Sequence, residues 1–373
     1  MQKYRSAIDN EANIIVFSFN NLPFLTLGLA KMQRRRHASA IIVKNLFIFI
    51  LLNIVILGIL EIYLRLSIRP SSKESIFEYS LESKRYKVMK KNAKIYAWGV
   101  ELRTNDLGFR DNKPTIPPKG SDEFRIIVLG DSFTVSAGVD YDFIYTSLLE
   151  KSLKESFPRV KIINLAVGGY NPIQYKLVLE EVGKNLTPDM ILVSVFPEND
   201  FSMDTYNDNY RMAHGMEKVN SSSLYTELYV YRAYLWRLEA ILKRIKQRYF
   251  NNNKETEGKS IELDTVGWKE NLLALESIRD FAIKNKLKMI AALLPTTWSF
   301  EKQRGIFDRI EDYCKENNIH AINLLEPFIE SKTREKDLRL NLLDSHPNEK
   351  YNRLVAKYLA PHITAMIAMH DKK

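Results

Sequence analysis

Beyond residue 122 the chain alternates short apolar runs with longer amphipathic stretches. "RIIVLG" (125–130), "VKIINLA" (160–166), "DMILVSVF" (189–196), "LKMIAALLP" (287–295) and "IHAINL" (319–324) have the length and composition of buried strands. Helical patterning separates or follows them at 145–156, 173–185, 268–284, around Cys314 and at 348–369. This order predicts an α/β domain over 123–370, with a central parallel sheet covered on both faces. In such sheets ligands bind outside the carboxyl ends of the strands.

Two regions break the rhythm. Residues 201–264 are too long for a plain loop. Within them Leu224, Leu228, Tyr231, Leu235, Leu238, Leu242 and Ile245 recur at spacings of four and three, which predicts an amphipathic helix inside an insertion. "NNNKETEGK" (251–259) reads as a solvated linker. Residues 67–122 are polar and Lys-rich and are expected to be a linker or pre-domain segment, with "KPTIPPKG" (113–120) as a stiff tether before the first strand.

The hydrophobic pattern changes character near the N-terminus. "NLFIFILLNIVILGIL" (45–60) carries no charge, and residues 41–66 reach the roughly 20 residues that a bilayer span needs. No Ala-x-Ala-like site follows, so a membrane anchor is expected rather than a cleaved leader. Arg34, Arg35, Arg36 and Lys44 precede the run, which predicts a cytoplasmic segment over 1–40 and an extracytoplasmic domain. Upstream, "NIIVFSFNNLPFLTLGLA" (13–30) is too broken for a second span. Met32 reads as a natural start, with 1–31 as an extension.

Composition narrows the function class. The net charge of +10 comes from 55 basic residues mixed with 45 acidic ones. The clusters "KMQRRRH" (31–37) and "KRIKQR" (243–248) lack finger spacing or a basic heptad array, so nucleic acid is not expected as a partner. A single cysteine, Cys314, rules out an intrachain disulfide and a Cys-based zinc site. No cofactor or metal is implied, and nothing fixes the oligomeric state.

Four short blocks carry the candidate chemistry. "LGDSF" (129–133), "AVGGYN" (166–171) and "PENDF" (197–201) each follow a predicted strand, and "LLDSHPNEKYNRLVA" (342–356) precedes the last helix. Each has a bland reading: an N-cap serine, turn glycines, an Asx turn, a surface histidine. The Gly-x-Ser-x-Gly elbow is absent, because Thr134 stands where the second glycine belongs. Four such features in this order are much harder to obtain by chance. A serine hydroxyl needs an adjacent base, which a histidine supplies near neutral pH. A carboxylate can fix that histidine's tautomer.

Together these blocks resemble those of the SGNH hydrolases, the GDSL-type esterases and acyltransferases, over residues 105–369. "TNDLGFRDN" (104–112) is similar to a segment preceding the first block in membrane-anchored bacterial members. The resemblance implies a three-layer α/β/α flavodoxin-like fold. It also implies Ser132 as nucleophile, His346 as base and Asp344 as the residue orienting it. The oxyanion donors would be the Ser132 backbone, Gly169 and Asn199. The spacing Asp-x-His departs from the Asp-x-x-His of many members. The expected activity is a membrane-anchored serine esterase acting on O-acyl, above all O-acetyl, groups of envelope carbohydrate or lipid. Transfer to a sugar hydroxyl, or a non-catalytic glycan-binding or assembly role on the same scaffold, are the alternatives.

Overall fold

The computed structural model describes residues 23–67, 75–201, 204–214, 266–341 and 344–370. The expected helix at 224–245, the linker at 251–259 and residues 1–22 lie outside these. The chain divides into two units, Met1–Ile68 and Arg69–Lys373. Among the described residues the first contains one helix, α1 (Pro23–Ser67), whose stretch Ser39–Tyr63 is long and apolar enough to cross a membrane and has no buried part.

In the second unit residues 75–110, within the segment expected to be a linker or pre-domain segment, contain two small hairpins. Strands β1 (Phe77–Tyr79) and β2 (Lys87–Met89) form one antiparallel hairpin, and β3 (Lys94–Ala97) and β4 (Val100–Arg103) form another. The physical reason is that apolar residues are interleaved with the lysines. Ile76, Met89, Ile95, Leu102 and Phe109 are all buried in the same core as the central sheet, while Lys84, Lys91 and Lys94 are exposed.

That sheet contains β5 (Phe124–Leu129), β6 (Val160–Asn164), β7 (Met190–Val195), β8 (Lys288–Leu293) and β9 (Ala321–Asn323). Their order is β6-β5-β7-β8-β9 and every pairing is parallel. This is the flavodoxin-like 2-1-3-4-5 order, which places a crevice where the strand order reverses, beside β5 and β7. Ile126 to Leu129 and Ile191 to Val193 are fully buried, as strands covered on both faces must be. Helix α2 (Ser132–Val135) follows β5 directly. Helix α3 (Tyr145–Lys154) packs on the C-terminal helix, and α4 (Pro172–Glu181) packs on the helix before β8. The single turn α5 (Pro197–Asp200) and the helix α6 (Asp204–Ala213) follow β7, and α7 (Val266–Lys284) leads into β8. Helix α8 (Phe300–Glu316) precedes β9, then α9 (Leu325–Glu330) and α10 (Glu349–His370) close the fold. The architecture is a three-layer α/β/α sandwich around one parallel sheet.

Candidate active site

β5 delivers Ser132 to the crevice through a tight junction. A Cβ on Gly130 would lie 2.3 Å from Thr134 Oγ1, so the turn needs a glycine where the chain doubles back onto α2. Asp131 is buried and caps α2, its Oδ1 accepting from the Phe133 N–H at 2.8 Å. Ser132 is therefore the first residue of the helix rather than its cap. Ser136, the nearest other serine, is buried; its hydroxyl bonds Phe133 O at 2.8 Å and Asn352 Oδ1 at 2.9 Å.

His346 and Asp344 reach Ser132 from the loop before α10. His346 Nε2 lies 3.1 Å from Ser132 Oγ, and its Nδ1 lies 2.7 Å from Asp344 Oδ1. The short Asp-Ser-His spacing works because one carboxylate oxygen serves two groups. Asp344 Oδ1 also accepts from the His346 backbone N–H at 3.0 Å. The loop is fixed on both sides: Leu340 N–H donates to His346 O, and Thr297 Oγ1 donates to Ser345 O at 2.8 Å. Asp344 raises the imidazole above its ordinary pKa through that hydrogen bond; burial opposes it and the Asp131 charge adds to it. An imidazole so held has one nitrogen saturated and the other aimed at a hydroxyl, the arrangement for general-base activation of a nucleophile.

The glycine pair follows β6. Gly169 has φ +78°, which suits glycine, and both glycines line the same cleft as Ser132. A Cβ on Gly168 would lie 3.7 Å from Ser132 Cβ, so the two loops are neighbours. Asn199 lies in α5, and its side chain is outside the described residues. The next residue, Asp200, is buried and braces that turn, accepting from Phe196 N–H at 2.8 Å and Tyr175 OH at 2.9 Å. Burial raises its carboxyl well above the usual range, with the Asp131 charge adding to the effect.

The cleft has a volume of about 540 Å³. Its far wall is the part missed in the sequence: Ile76, Phe77, Lys87, Met89, Trp98 and Leu102 of the hairpins face Ser132 and His346 across it. The signal was "TNDLGFRDN", whose Arg110 is almost fully buried and donates to Ser136 O at 2.7 Å and to Val135 O and Val139 O. The segment before the sheet thus holds the loop that follows the serine.

Residues 128–354 match the family described as GDSL-like Lipase/Acylhydrolase. No curated protein matches the chain. Among solved structures, a two-domain esterase (CEX) active on acetylated mannans is 12% identical, with a TM-score of 0.40, covering 65% of this chain and 49% of that one. The chain therefore spans about half the length of that protein. The acetyl xylan esterase AlAXEase is 15% identical, TM-score 0.39, covering 64% and 100%. Esterase EstA from a Pseudoalteromonas species is 13% identical, TM-score 0.40, covering 66% and 100%.

Proposed function

We propose, for a chain that belongs to the GDSL-like lipase/acylhydrolase family and is thereby an ester-hydrolysing serine hydrolase, that Ser132, His346 and Asp344 form its catalytic triad. The observation that carries this reading is the unbroken path from Asp344 Oδ1 through the imidazole to Ser132 Oγ, at 2.7 and 3.1 Å. His346 Nε2 takes the hydroxyl proton as Ser132 Oγ bonds to the acyl carbon. The tetrahedral oxyanion is received by the backbone N–H groups of Ser132 and Gly169 and by the Asn199 amide. Collapse breaks the ester C–O bond, and His346 returns the proton to the departing alcohol. Water then attacks the acyl-enzyme, with His346 again as base, releasing the acid and restoring Ser132.

The substrates of this reading are acyl esters of carbohydrate or lipid, O-acetyl groups first. In full-length protein a fluorophosphonate should label Ser132, and Ser132→Ala should lose both labelling and hydrolysis of short-chain acyl esters while melting as the wild type does. Undiminished hydrolysis by Ser132→Ala would remove the assignment.

The same proposal makes α1 a single-pass anchor. Ser39–Tyr63 spans 25 residues, about 37 Å of helix against a hydrocarbon core of about 30 Å. Its apolar side chains are exposed all round, a surface that water disfavours and lipid accepts. The arginines before it orient the N-terminus inward, with the esterase domain outside the cytoplasm. A reporter fused after Lys373 should then be active only where export activates it; strong cytoplasmic reporter activity would refute the orientation.

A further inference from the structure

We propose that Lys87, on the second strand of the first hairpin, is a positioning residue for the oxyanion site: its ammonium holds and polarises the peptide group whose N–H belongs to Gly169. This rests on the triad reading above. Lys87 Nζ donates to the Gly168 carbonyl oxygen at 2.8 Å. That carbonyl and the Gly169 N–H are the two ends of one peptide unit. Among the described residues no peptide bond is cis, so the N–H projects opposite to the carbonyl. A cation on the oxygen fixes the plane of the unit. It also draws electron density away from the nitrogen, making the N–H a stronger donor to a developing oxyanion.

The lysine is built into place. Its Nζ stands 4.2 Å from the Phe77 ring centroid, and Phe77 Cζ lies 3.4 Å from where a Gly168 Cβ would be. The ammonium is held between an aromatic face and the glycine loop. The hydroxyl of Tyr170, the residue after Gly169, donates to the Lys87 backbone carbonyl, so strand and loop are tied twice. Farther along the hairpin, Arg85 Nε pairs with Glu181 at 2.9 Å, and Gln174 Nε2 donates to Arg85 O at 2.9 Å.

The charged groups around Lys87 are committed elsewhere. Glu78 is opposite Val88, on the other face of the hairpin from Lys87 and its partner Tyr79. Glu181 takes Arg85, Asp344 takes His346, Asp131 caps α2, Asp208 pairs with Arg211, and His214 Nδ1 meets Tyr210 O. Burial alone lowers the Lys87 pKa, to about 8. The polarising effect is present below about 8 and lost above it.

The test is hydrolysis of p-nitrophenyl acetate from pH 6 to 10 by full-length wild type, Lys87→Met, Lys87→Arg and Ser132→Ala. Wild type should show a falling limb near pH 8. Lys87→Met should lower kcat about tenfold, a fraction of the 10²–10³ that a lost oxyanion donor costs, with KM within about twofold and no such limb. Lys87→Arg keeps a cation to high pH, so it should retain most activity and move the limb upward. Wild-type kcat in Lys87→Met, a loss expressed only in KM, or an unmoved limb in Lys87→Arg would each overturn the proposal. Should Lys87→Met fail to fold, the limb of Lys87→Arg decides alone. If Ser132→Ala stays active the triad reading fails, and this inference falls with it. If Ser132→Ala is inactive while Lys87→Met is unaffected, only the role of Lys87 is lost.

Discussion

Ser132, Gly169 and the turn at Pro197–Asp200 sit at the ends of β5, β6 and β7, whereas Phe77, Lys87 and Trp98 come from two small antiparallel hairpins on the other side of the cleft. The first region is fixed by a fully buried sheet. Its geometry follows from strand pairing and a few tight contacts, such as Gly130 against Thr134. The second has strands of only three or four residues and little core of its own. It is held by bonds to the first, through Lys87, Arg85 and Arg110. The difference separates two tasks. On the proposed reading the sheet ends present the reacting groups, and the hairpins enclose them and tune them from behind.

If that division holds, the largest losses must come from the sheet side. His346→Ala should reduce hydrolysis by at least about 10²–10⁴-fold, the usual worth of positioned proton transfer. Asp344→Asn should cost less, about 10- to 100-fold, in line with the 1.5–3 kcal/mol of a hydrogen bond to a charged group. Its diagnostic sign is in the pH profile. Asp344 raises the His346 pKa, so activity is present above that raised value and lost as pH falls through it. Removing the carboxylate should move the acid limb to lower pH. An unshifted limb with wild-type rate in Asp344→Asn would leave Ser132 and His346 as a dyad.

The same division explains what could be read from the sequence. The five strands were legible because burial on both faces forces continuous apolar runs such as Ile126 to Leu129. Three of the candidate site blocks were legible because they stand at strand ends, and the fourth because it stands just before the last helix. The hairpins were not, because each strand is short and charged residues such as Glu78, Lys94 and Glu101 stand between apolar ones, so average polarity hid a period of two. One local signal was present. Trp98 and Gly99, at φ +52° and +87°, form a two-residue turn between the paired residues Ala97 and Val100. Both central residues at positive φ mark a type I′ hairpin turn, which a glycine at its second position permits. The match of Asp344 to His346 at the shorter spacing needed coordinates, since it depends on one oxygen accepting two bonds.

A smaller effect on rate is expected at Arg110, where the hairpin side supports the serine loop without touching the reacting groups of the triad. Burial lowers its guanidinium pKa to about 10, so it is still charged at neutral pH. It serves three backbone carbonyls, those of Val135, Ser136 and Val139, in the turn that follows Ser132. Arg110→Met keeps much of the volume but strips a charged donor from buried acceptors. The expected cost is about 3 kcal/mol of stability, at the upper end for a single substitution. In a domain of this size that is a fall in melting temperature of roughly 6–12 °C. Below that temperature kcat should fall less than in Asp344→Asn, because the Ser132–His346 contact itself is not altered, and the pH limbs should stay where they are. Lys87→Met is the counterpart within the same region, since it should lower kcat with little change in melting. An Arg110→Met protein that melts like the wild type, or one whose pH profile moves, would mean that the hairpin side is not divided into a support residue and a tuning residue, and that Arg110 acts on the chemistry itself.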